Sequence, residues 1–269
     1  MPAQHQDPEN GHGSQELPGN TSPETPNNKT AEPAGIRALF EGLLQVAFPV
    51  NCIGCGTALP VRTRILCERC PHEQFSDPNP ANEATCENLI LPDGIMFQDA
   101  LWKYDKGGLL NRIIHMLKYE GMQHVGEELG FLAGRRLLER HIDGSGRLAD
   151  GRPLLLLPVP LHPKREQQRG YNQARLIAGG MHAASGIPVA DAQLLIREKN
   201  TKTQTKFKLS QRMVNLKGAF VLNNYSAVEG RHIIIVDDVF TTGSTTFTVA
   251  QELQKAQPAS VSVFTIGMA

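Results

Sequence analysis

Two adjacent carboxylates followed by a loop of small hydroxyl residues are the part of the sequence best suited to chemistry. In IIIVDDVFTTGST, residues 233–245, four branched apolar residues precede Asp237 and Asp238. Carboxylates accept hydrogen bonds, whereas a glycine-containing turn before a helix presents N–H groups to an anion. The stretch therefore predicts acceptors for sugar hydroxyls beside donors for a phosphate. The predicted donor positions are Thr241, Thr242, Gly243, Ser244 and Thr245.

The same stretch has a purely structural alternative, in which the aspartates cap a turn and Ser244 caps the following helix. The ordered combination of apolar strand, paired acids and hydroxyl loop favours a binding site. The loop has no lysine and does not match GxxxxGK[ST], which excludes a P-loop. Because pleating alternates side chains along a strand, we expect the chain to begin turning at Asp237 and Asp238 if both face one ligand.

Two basic stretches predict an anionic partner. Lys164, Arg165 and Arg169 follow the apolar run LLLLPVP, with only Glu166 opposing them. Residues 197–217 contain seven basic residues and a single acid, in a chain of zero formal net charge. We interpret both stretches as loops that contact phosphate groups.

Less specific interpretations of the basic stretches stay open. Residues 197–217 are alternatively a solvated surface loop, and Arg169 is alternatively a residue at a helix start that pairs with a neighbouring acid. A nucleic-acid partner is a third interpretation, and it is favoured by aromatic side chains on which bases stack. Only Tyr171 and Phe207 lie near the two stretches, so the stacking signal is weak.

Four cysteines in two CxxC pairs predict a structural zinc site. Eleven residues separate the pairs, and Gly54 and Gly56 ease the first turn. Four thiolates complete a tetrahedral zinc shell, so the metal is expected to hold a small ribbon together rather than to catalyse a reaction. Free or redox-active thiols are the alternative, and His72 is a competing ligand. The predicted ligands are Cys52, Cys55, Cys67 and Cys70.

Composition bounds the class of protein. The 269 residues include 27 basic and 27 acidic side chains. No apolar run approaches the ~20 residues that span a bilayer. Residues 1–34 are rich in Pro, Asn, Gly, Glu and Gln and are expected to be disordered. No secretory signal pattern is present, and an odd number of cysteines, with Cys86 unassigned, argues against a disulfide scaffold. We therefore expect a cytoplasmic protein.

Alternating strand and helix patterns begin near residue 95. The run RPLLLLPVP is typical of a strand buried on both faces, and HIIIV, STTFTVAQELQKA and SVSVFTIG predict a right-handed βαβ unit. IMFQDALWKY, AQLLIR and GAFVL are further strand candidates. The sequence predicts an α/β domain with a mostly parallel sheet flanked by helices over residues 95–269. A helix, a zinc ribbon and a linker are expected over residues 35–94, after a disordered tail over residues 1–34.

The stretch IIIVDDVFTTGST resembles the phosphoribosyl diphosphate (PRPP) motif of type I phosphoribosyltransferases. The stretches PVPLHPKREQQRGYNQARLIA and LLIREKNTKTQTKFKLSQRMVNLKGAF, together with the paired cysteines, resemble the ComF family of competence and amidophosphoribosyltransferase-like proteins. The resemblance covers about residues 36–267. It implies a type I phosphoribosyltransferase fold joined to an N-terminal zinc ribbon.

The resemblance also implies roles for individual residues. Asp237 and Asp238 would hold the ribose hydroxyls, and the loop of residues 241–245 would hold the 5′-phosphate. The stretch after residue 157 would lie beside the diphosphate, which Mg²⁺ would bridge, and residues 197–217 would close over it. Lys118, in HMLKYEG, resembles a further position near this site, with an exposed helix end as the alternative. The remaining PRPP-binding candidates are Lys118, Lys164, Arg165 and Arg169.

Two classes of function follow from these observations. In the first, the chain is a glycosyltransferase that moves ribose 5-phosphate from PRPP to an acceptor and releases diphosphate. In the second, it is a binding module. The resemblance then implies a competence protein that handles single-stranded DNA with a DNA-uptake helicase, or a regulator that senses PRPP. The acceptor and the oligomeric state stay open.

Overall fold

A computed structural model of the chain describes residues 50–59, 65–78, 94–142, 151–199 and 218–269. The predicted tail, the predicted helix near residue 40, Cys86 and most of the second basic stretch lie outside these ranges. All the described residues belong to a single compact unit that spans Gln45–Ala269. Within them, no helix has the combination of length and apolar character needed to cross a bilayer.

A four-stranded sheet lies at the centre of the described unit. Its spatial order is β1 (Ile95–Lys103), β6 (Ser260–Met268), β5 (His232–Phe240) and β2 (Leu154–Pro158). All three pairings are parallel. Every residue of β2 and the first five residues of β5 are buried, because both faces of the sheet are covered. The predicted α/β fold with a mostly parallel sheet is confirmed.

Helices supply most of that cover. They are α1 (Cys70–Glu73), α2 (Leu109–Tyr119), α3 (Gln123–His141), α4 (Pro163–Arg169), α5 (Gln173–Ser185) and α6 (Ser244–Gln254). Alternate residues of the strands belong to two separate apolar clusters, with Leu156 and Ile234 in one and Leu155 and Ile233 in the other. The first cluster contains the buried residues of α2 and α3, and the second contains those of α6.

Helices α3 and α5 meet at backbone contact distance. A Cβ atom on Gly130 of α3 would lie 2.1 Å from the carbonyl oxygen of Ile177, and one on Gly180 of α5 would lie 2.1 Å from that of Glu127. Real side chains do not approach a backbone oxygen so closely, so glycine is required at both positions. The close approach fixes α3 and α5 as one layer over the sheet.

A second, smaller sheet uses two of the remaining strand candidates. Strands β3 (Leu195–Arg197) and β4 (Phe220–Leu222) pair antiparallel and remain separate from the central sheet. Their apolar residues belong to the cluster that also contains Val249 of α6. This small sheet therefore brings Arg197, at the end of β3, to the α6 side of the molecule.

The free side of β2 is covered by the chain that follows α5. The N–H group of Leu156 donates to the carbonyl of Pro188 at 2.9 Å, and the N–H group of Ala190 donates to the carbonyl of Leu156 at 2.8 Å. Val189 thus forms a parallel bridge with Leu156. The hydrogen-bonding groups of this strand are occupied on both sides at that point.

A buried carboxylate ties β1 to α3. Asp99 is 1% exposed, and its Oδ2 atom lies 2.8 Å from Nε2 of His141. Burial opposes ionisation, but the hydrogen bonds from His141 and the next backbone N–H outweigh it and lower the pKa of Asp99. Arg140 contacts both Asp99 and Asp77, so the segment after α1 is held against α3 as well.

Candidate functional site

The two aspartates lie inside β5 rather than at a turn. The strand continues through Asp237 and Asp238 to Phe240, which still pairs with Met268 of β6. The expectation that the chain begins to turn at the aspartates is therefore wrong, although the charges of both carboxylates act on the same residue, Lys118. Since the neighbouring strand keeps its hydrogen bonds to residue 240, the turn begins only after Phe240, and the hydroxyl loop starts there.

Lys118 and Asp238 form an ion pair at this edge. The Nζ atom of Lys118, on the last turn of α2, lies 2.7 Å from Oδ2 of Asp238, and the two side chains are 25% and 13% exposed. Burial opposes the charge on Lys118, but the carboxylates of Asp238 and Asp237 outweigh burial and raise the pKa of Lys118. The alternative of an exposed helix end is wrong for Lys118.

Asp237 is in a different electrostatic environment from its neighbour. Its Oδ1 atom accepts a hydrogen bond of 2.9 Å from the N–H group of Asp238. Burial, followed by the negative charge of Asp238, raises the pKa of Asp237 to about 7, and the charges of Lys118 and Arg197 only partly offset this. Asp237 therefore titrates near neutral pH.

The hydroxyl loop leads into α6 through a left-handed glycine. Gly243 has φ 70° and ψ −2° and is the N-cap residue of α6, so the alternative in which Ser244 caps the helix is wrong. No hydrogen bond from a capping side chain is found at this end of α6 in the described structure. Thr242 and Ser244 exchange a hydrogen bond between their hydroxyls at 3.2 Å. The first N–H groups of α6 are therefore placed to receive an anion.

Glycine is required at residue 243 for a second reason. A Cβ atom there would lie 2.3 Å from the ring of Phe247 and 2.7 Å from the ring of Phe240. These two rings pack edge to face, with their centroids 5.6 Å apart. The aromatic pair therefore supports the loop from beneath and leaves no room for a side chain.

The first basic stretch is a helix, which corrects its interpretation as a loop. Pro163 occupies the first turn of α4, and Nδ1 of His162 accepts from the N–H group of Lys164 at 3.2 Å. Because Pro158 of β2 pairs with Val236 of β5, α4 starts from the edge of the sheet that carries the aspartates. Lys164 and Arg165 lie in its first turn, and the positive charge of Arg165 helps to lower the pKa of Arg197 after burial.

Arg169 lies at the opposite end of α4. Its guanidinium carbon is 5.4 Å from the ring centroid of Tyr119, the residue after Lys118, and its charge also acts on Lys118. The alternative of a helix-start residue is wrong for Arg169, which is the last residue of α4. The structure thus brings Arg169, Lys118 and Asp238 to one region.

The residues GYN of the motif RGYNQA fix this arrangement. Gly170 ends α4 with φ 84°, and the hydroxyl of Tyr171 donates to the carbonyl of Leu117 at 2.6 Å. Asn172 donates to the carbonyl of Val159 at 3.0 Å and accepts from the N–H group of Ala174, which caps α5. Tyr171, one of the two aromatic residues near the basic stretches, is buried and offers no stacking surface.

The four paired cysteines converge as predicted. The Sγ atoms of Cys52 and Cys70 are 3.6 Å apart, those of Cys55 and Cys67 are 3.7 Å apart, and all four lie within 4.8 Å of one another. Zinc–sulfur bonds of about 2.3 Å in a tetrahedron place sulfurs about 3.8 Å apart, so the cluster fits one metal ion. Hydrogen bonds from Thr57 lower the pKa of Cys55 to about 6, which favours the thiolate that a metal binds.

The cysteine cluster is packed onto the α/β domain. Cys52 and Cys70 are buried in the same apolar cluster as Leu110 of α2. A Cβ atom on Gly54 would lie 2.7 Å from Sγ of Cys70 and 3.1 Å from Leu109, which explains the glycine in the first CxxC turn. The cysteine-bearing turns and α2 thus share one core.

Two residues near the aspartates were not among the candidate ligands from sequence. Tyr119 is 68% exposed beside Arg169, and Arg197 is near enough to act electrostatically on Asp237. Tyr119 directly follows the candidate Lys118, and this adjacency in the sequence could have indicated that Tyr119 lies near the site. Arg197 was counted in the second basic stretch and ends the strand candidate AQLLIR, but nothing in its local sequence places it near Asp237.

The central sheet is parallel, carries paired acids near the end of β5 and is followed there by the hydroxyl loop. This arrangement is that of a phosphoribosyltransferase-like domain. The family model described as "Phosphoribosyl transferase domain" matches residues 170–266. This range includes β5, the hydroxyl loop and α6, so the fold class and the family match agree.

Curated relatives identify a narrower group. The chain is 34% identical over 157 residues to "DNA utilization protein YhgH" of Salmonella typhi, covering 58% of this chain and 65% of that one. It is 42% identical over 113 residues to "Competence protein ComFC" of Bacillus subtilis, covering 42% and 43%. It is 35% identical over 118 residues to "Competence protein F" of Haemophilus influenzae, covering 44% and 51%. Each match spans less than two thirds of the relative. These matches confirm the resemblance to the ComF family, and residues 170–266 match a phosphoribosyl transferase domain.

Proposed function

We propose that the edge of the sheet at Asp237 and Asp238 binds the ribose 5-phosphate part of PRPP. The observation that carries this proposal is the start of α6 at Gly243, without a capping side chain, directly after a strand that carries two carboxylates. An anion at this position satisfies the free N–H groups of the helix, and the sugar hydroxyls then face acceptors.

The basic residues supply the opposite charge for the diphosphate. Lys118 lies against Asp238, Arg169 lies beside Lys118, and Lys164 and Arg165 are on the first turn of α4. We assign these four residues to the diphosphate. Mg²⁺ would bind the diphosphate oxygens and share their charge, as it does with phosphorylated substrates in general.

The proposed reaction is transfer of the ribose 5-phosphate group to an acceptor. The bond between C1 of the ribose and the diphosphate oxygen breaks with its electron pair leaving on oxygen, and a bond from C1 to the acceptor forms. Positive charge develops on the ribose and negative charge on the leaving group, so carboxylates beside the sugar and cations beside the diphosphate both stabilise the transition state. The four-cysteine site would hold zinc and would stand outside this chemistry.

Titration calorimetry with PRPP, in the presence and absence of Mg²⁺, tests this proposal. The wild type is expected to bind PRPP, and a variant with both Asp237→Asn and Asp238→Asn to bind at least about tenfold more weakly, since each carboxylate loses charge-assisted hydrogen bonds. The matched control is Glu229→Gln, which neutralises an exposed carboxylate in the turn before β5 and is expected to bind like the wild type. Wild-type protein that fails to bind PRPP under either condition would rule the proposal out.

Diphosphate release separates an enzyme from a sensor. A transferase releases diphosphate from PRPP when a suitable acceptor is added, and the double asparagine variant does not. A PRPP-sensing regulator binds PRPP without turnover over the same series of acceptors. Screening nucleobases, amines and ammonia as acceptors therefore assigns the protein to one of the two.

A second candidate function, single-stranded DNA binding, is favoured by the names of the relatives, which refer to DNA utilization and competence. Contacts with n phosphates give a slope of log affinity against log salt of about −0.7n for single strands. The triple variant Lys202→Gln, Lys206→Gln and Lys208→Gln, in the second basic stretch, is expected to reduce the slope by about 2. If the slope is unchanged, these three lysines do not contact the phosphates of the strand.

A further inference from the structure

The aromatic side chain best exposed near the proposed site is Tyr119. The chain has four tyrosines, of which Tyr104 and Tyr171 are at least half-buried with their hydroxyls bonded to the protein. Tyr119, in contrast, is 68% exposed. Exposed aromatic rings of this kind are characteristic of binding surfaces.

Planar and cationic groups surround this ring. The guanidinium carbon of Arg169 lies 5.4 Å from the ring centroid of Tyr119, and the imidazole of His115 lies 4.8 Å from it at an angle of 46°. His115 is in turn 3.3 Å from a carboxylate oxygen of Glu120. Three flat side chains from α2 and α4 are therefore gathered at one point of the surface, where Arg169 supplies a positive charge and Glu120 a negative one.

The arrangement is built by contacts beneath it. The hydroxyl of Tyr171 donates to the carbonyl of Leu117, which holds the end of α4 against the end of α2. Lys118 points inward to Asp238, whereas its neighbour Tyr119 remains on the surface. Tyr119 is thus the residue next to the lysine that contacts Asp238.

We propose that Tyr119 and Arg169 form a stacking surface for the base of a nucleotide. Aromatic rings and guanidinium planes stack on every type of base, and a neighbouring positive charge suits the phosphate that accompanies the base in a strand. The inference rests on the proposed function, since the base belongs either to a single strand or to the acceptor of the transfer. It places the stacking surface at the end of α2.

Fluorescence anisotropy with a single-stranded oligothymidylate tests the inference, with an oligomer of the same length and charge that carries abasic sites as the comparison. We expect Tyr119→Ala to weaken binding of the intact oligomer by about tenfold and Tyr119→Phe to stay within about twofold of the wild type, since stacking depends on the ring. The abasic oligomer should bind wild type and Tyr119→Ala equally. Tyr225→Ala, which removes the other exposed tyrosine, is the matched control and should bind like the wild type.

Competition with a free nucleoside identifies the source of the base. Displacement by the nucleoside assigns the base to an acceptor, and displacement only by oligomers assigns it to a strand. The inference is overturned if Tyr119→Ala binds the intact oligomer as tightly as the wild type, or if the loss is equal for the abasic oligomer.

PRPP calorimetry on the same variants keeps this inference apart from the proposed function. Tyr119→Ala is expected to bind PRPP like the wild type. If the oligomer binds in a way that depends on the ring of Tyr119 but PRPP does not bind, the stacking surface is supported and the proposed transferase is ruled out. If PRPP binds but oligomer binding does not depend on the ring, the proposed PRPP site is supported and the stacking surface is ruled out.

Discussion

The Nζ atom of Lys118 lies 2.7 Å from Oδ2 of Asp238, and this contact joins the last turn of α2 to the sheet edge that carries the proposed site. Lys118 is therefore placed to exchange one anionic partner for another. Under the proposed function, the lysine would leave the carboxylate for the diphosphate, and Asp238 would then be available to a sugar hydroxyl.

Breaking the ion pair from one side is expected to cost stability. Lys118→Met leaves a mostly buried carboxylate without its partner, and we expect the free energy of unfolding to fall by about 1–3 kcal/mol. Adding Asp238→Asn should recover part of that loss, so the two substitutions should be non-additive by more than about 0.5 kcal/mol. Urea unfolding of the four proteins in this double-mutant cycle measures the coupling. Strictly additive costs would mean that the contact contributes nothing.

The raised pKa of Asp237 predicts a pH-dependent stability. Its pKa of about 7 in the folded protein exceeds the ordinary aspartate value of 3.8, so the folded state binds the proton more tightly than the unfolded state does. The contribution of Asp237 is therefore most favourable below pH 4 and declines as the pH rises from 4 to 7. At pH 8 the buried charge costs on the order of 2–4 kcal/mol.

The substitution Asp237→Asn removes this titration while keeping the shape of the side chain. We expect the variant to gain more stability over the wild type at pH 8 than at pH 5, as measured by urea unfolding at both pH values. The contributions of other carboxylates to the pH dependence of stability are the same in the two proteins and cancel in the difference. A gain that is the same at both pH values would show that Asp237 is ionised throughout.

Two glycines with nearly equal, left-handed φ angles allow two costs to be measured separately at the hydroxyl loop. One is the steric cost of an added side chain, and the other is the cost of the backbone conformation. Gly243 has φ +70°, and a Cβ atom added there would lie within 2.7 Å of two phenylalanine rings, whereas Gly230 has φ +66° and nothing within 4 Å of the same position. Gly230→Ala should cost about 1–2 kcal/mol for the left-handed backbone alone. Gly243→Ala should cost about 2–5 kcal/mol because overpacking is added.

The loss of binding should also be specific to the loop. Gly243→Ala is expected to weaken PRPP binding at least about tenfold, because the N–H groups of the anion site shift, while Gly230→Ala binds like the wild type. Thermal unfolding and calorimetry on both variants provide the comparison. Equal affinities for PRPP in the two variants would argue against a phosphate at the start of α6.

The cysteine cluster predicts one tightly held zinc ion per chain. Cys52→Ser should abolish zinc in the purified protein, as measured by inductively coupled plasma mass spectrometry, and lower the Tm by about 10 °C, because a structural zinc stabilises its fold directly. Cys86→Ser, outside the described residues, is the matched control and should retain the metal. A Cys52→Ser protein with full zinc content would assign the ligands differently.

The sequence was sufficient to predict those structural features whose residues all lie in one continuous stretch. The strand, the acids and the hydroxyl loop of residues 233–245 are contiguous, and the CxxC spacing fixes its own geometry. Helix α4 was missed because none of its residues is buried, so PKREQQR shows no apolar periodicity. Only Pro163 at its start and Gly170 after its end indicated a helix.

Features that depend on distant segments could not be predicted. β5 extends past the aspartates because β6 continues to pair with it, and that pairing is not encoded in the VDDVF stretch. Tyr119 is exposed beside Arg169 because Tyr171 bonds to Leu117, across more than fifty residues of chain. Local hydrophobicity carries no information about either contact.

The segment around Val189 occupies the outer hydrogen-bonding groups of β2 at Leu156, and this restricts how copies of the chain can associate. An exposed strand invites a second molecule to lengthen the sheet, which is a common route to dimers and to aggregates. That route is blocked on this flank of the protein at Leu156. Self-association there would have to proceed through helices or loops, and the protein is protected from growing a continuous intermolecular sheet in that direction.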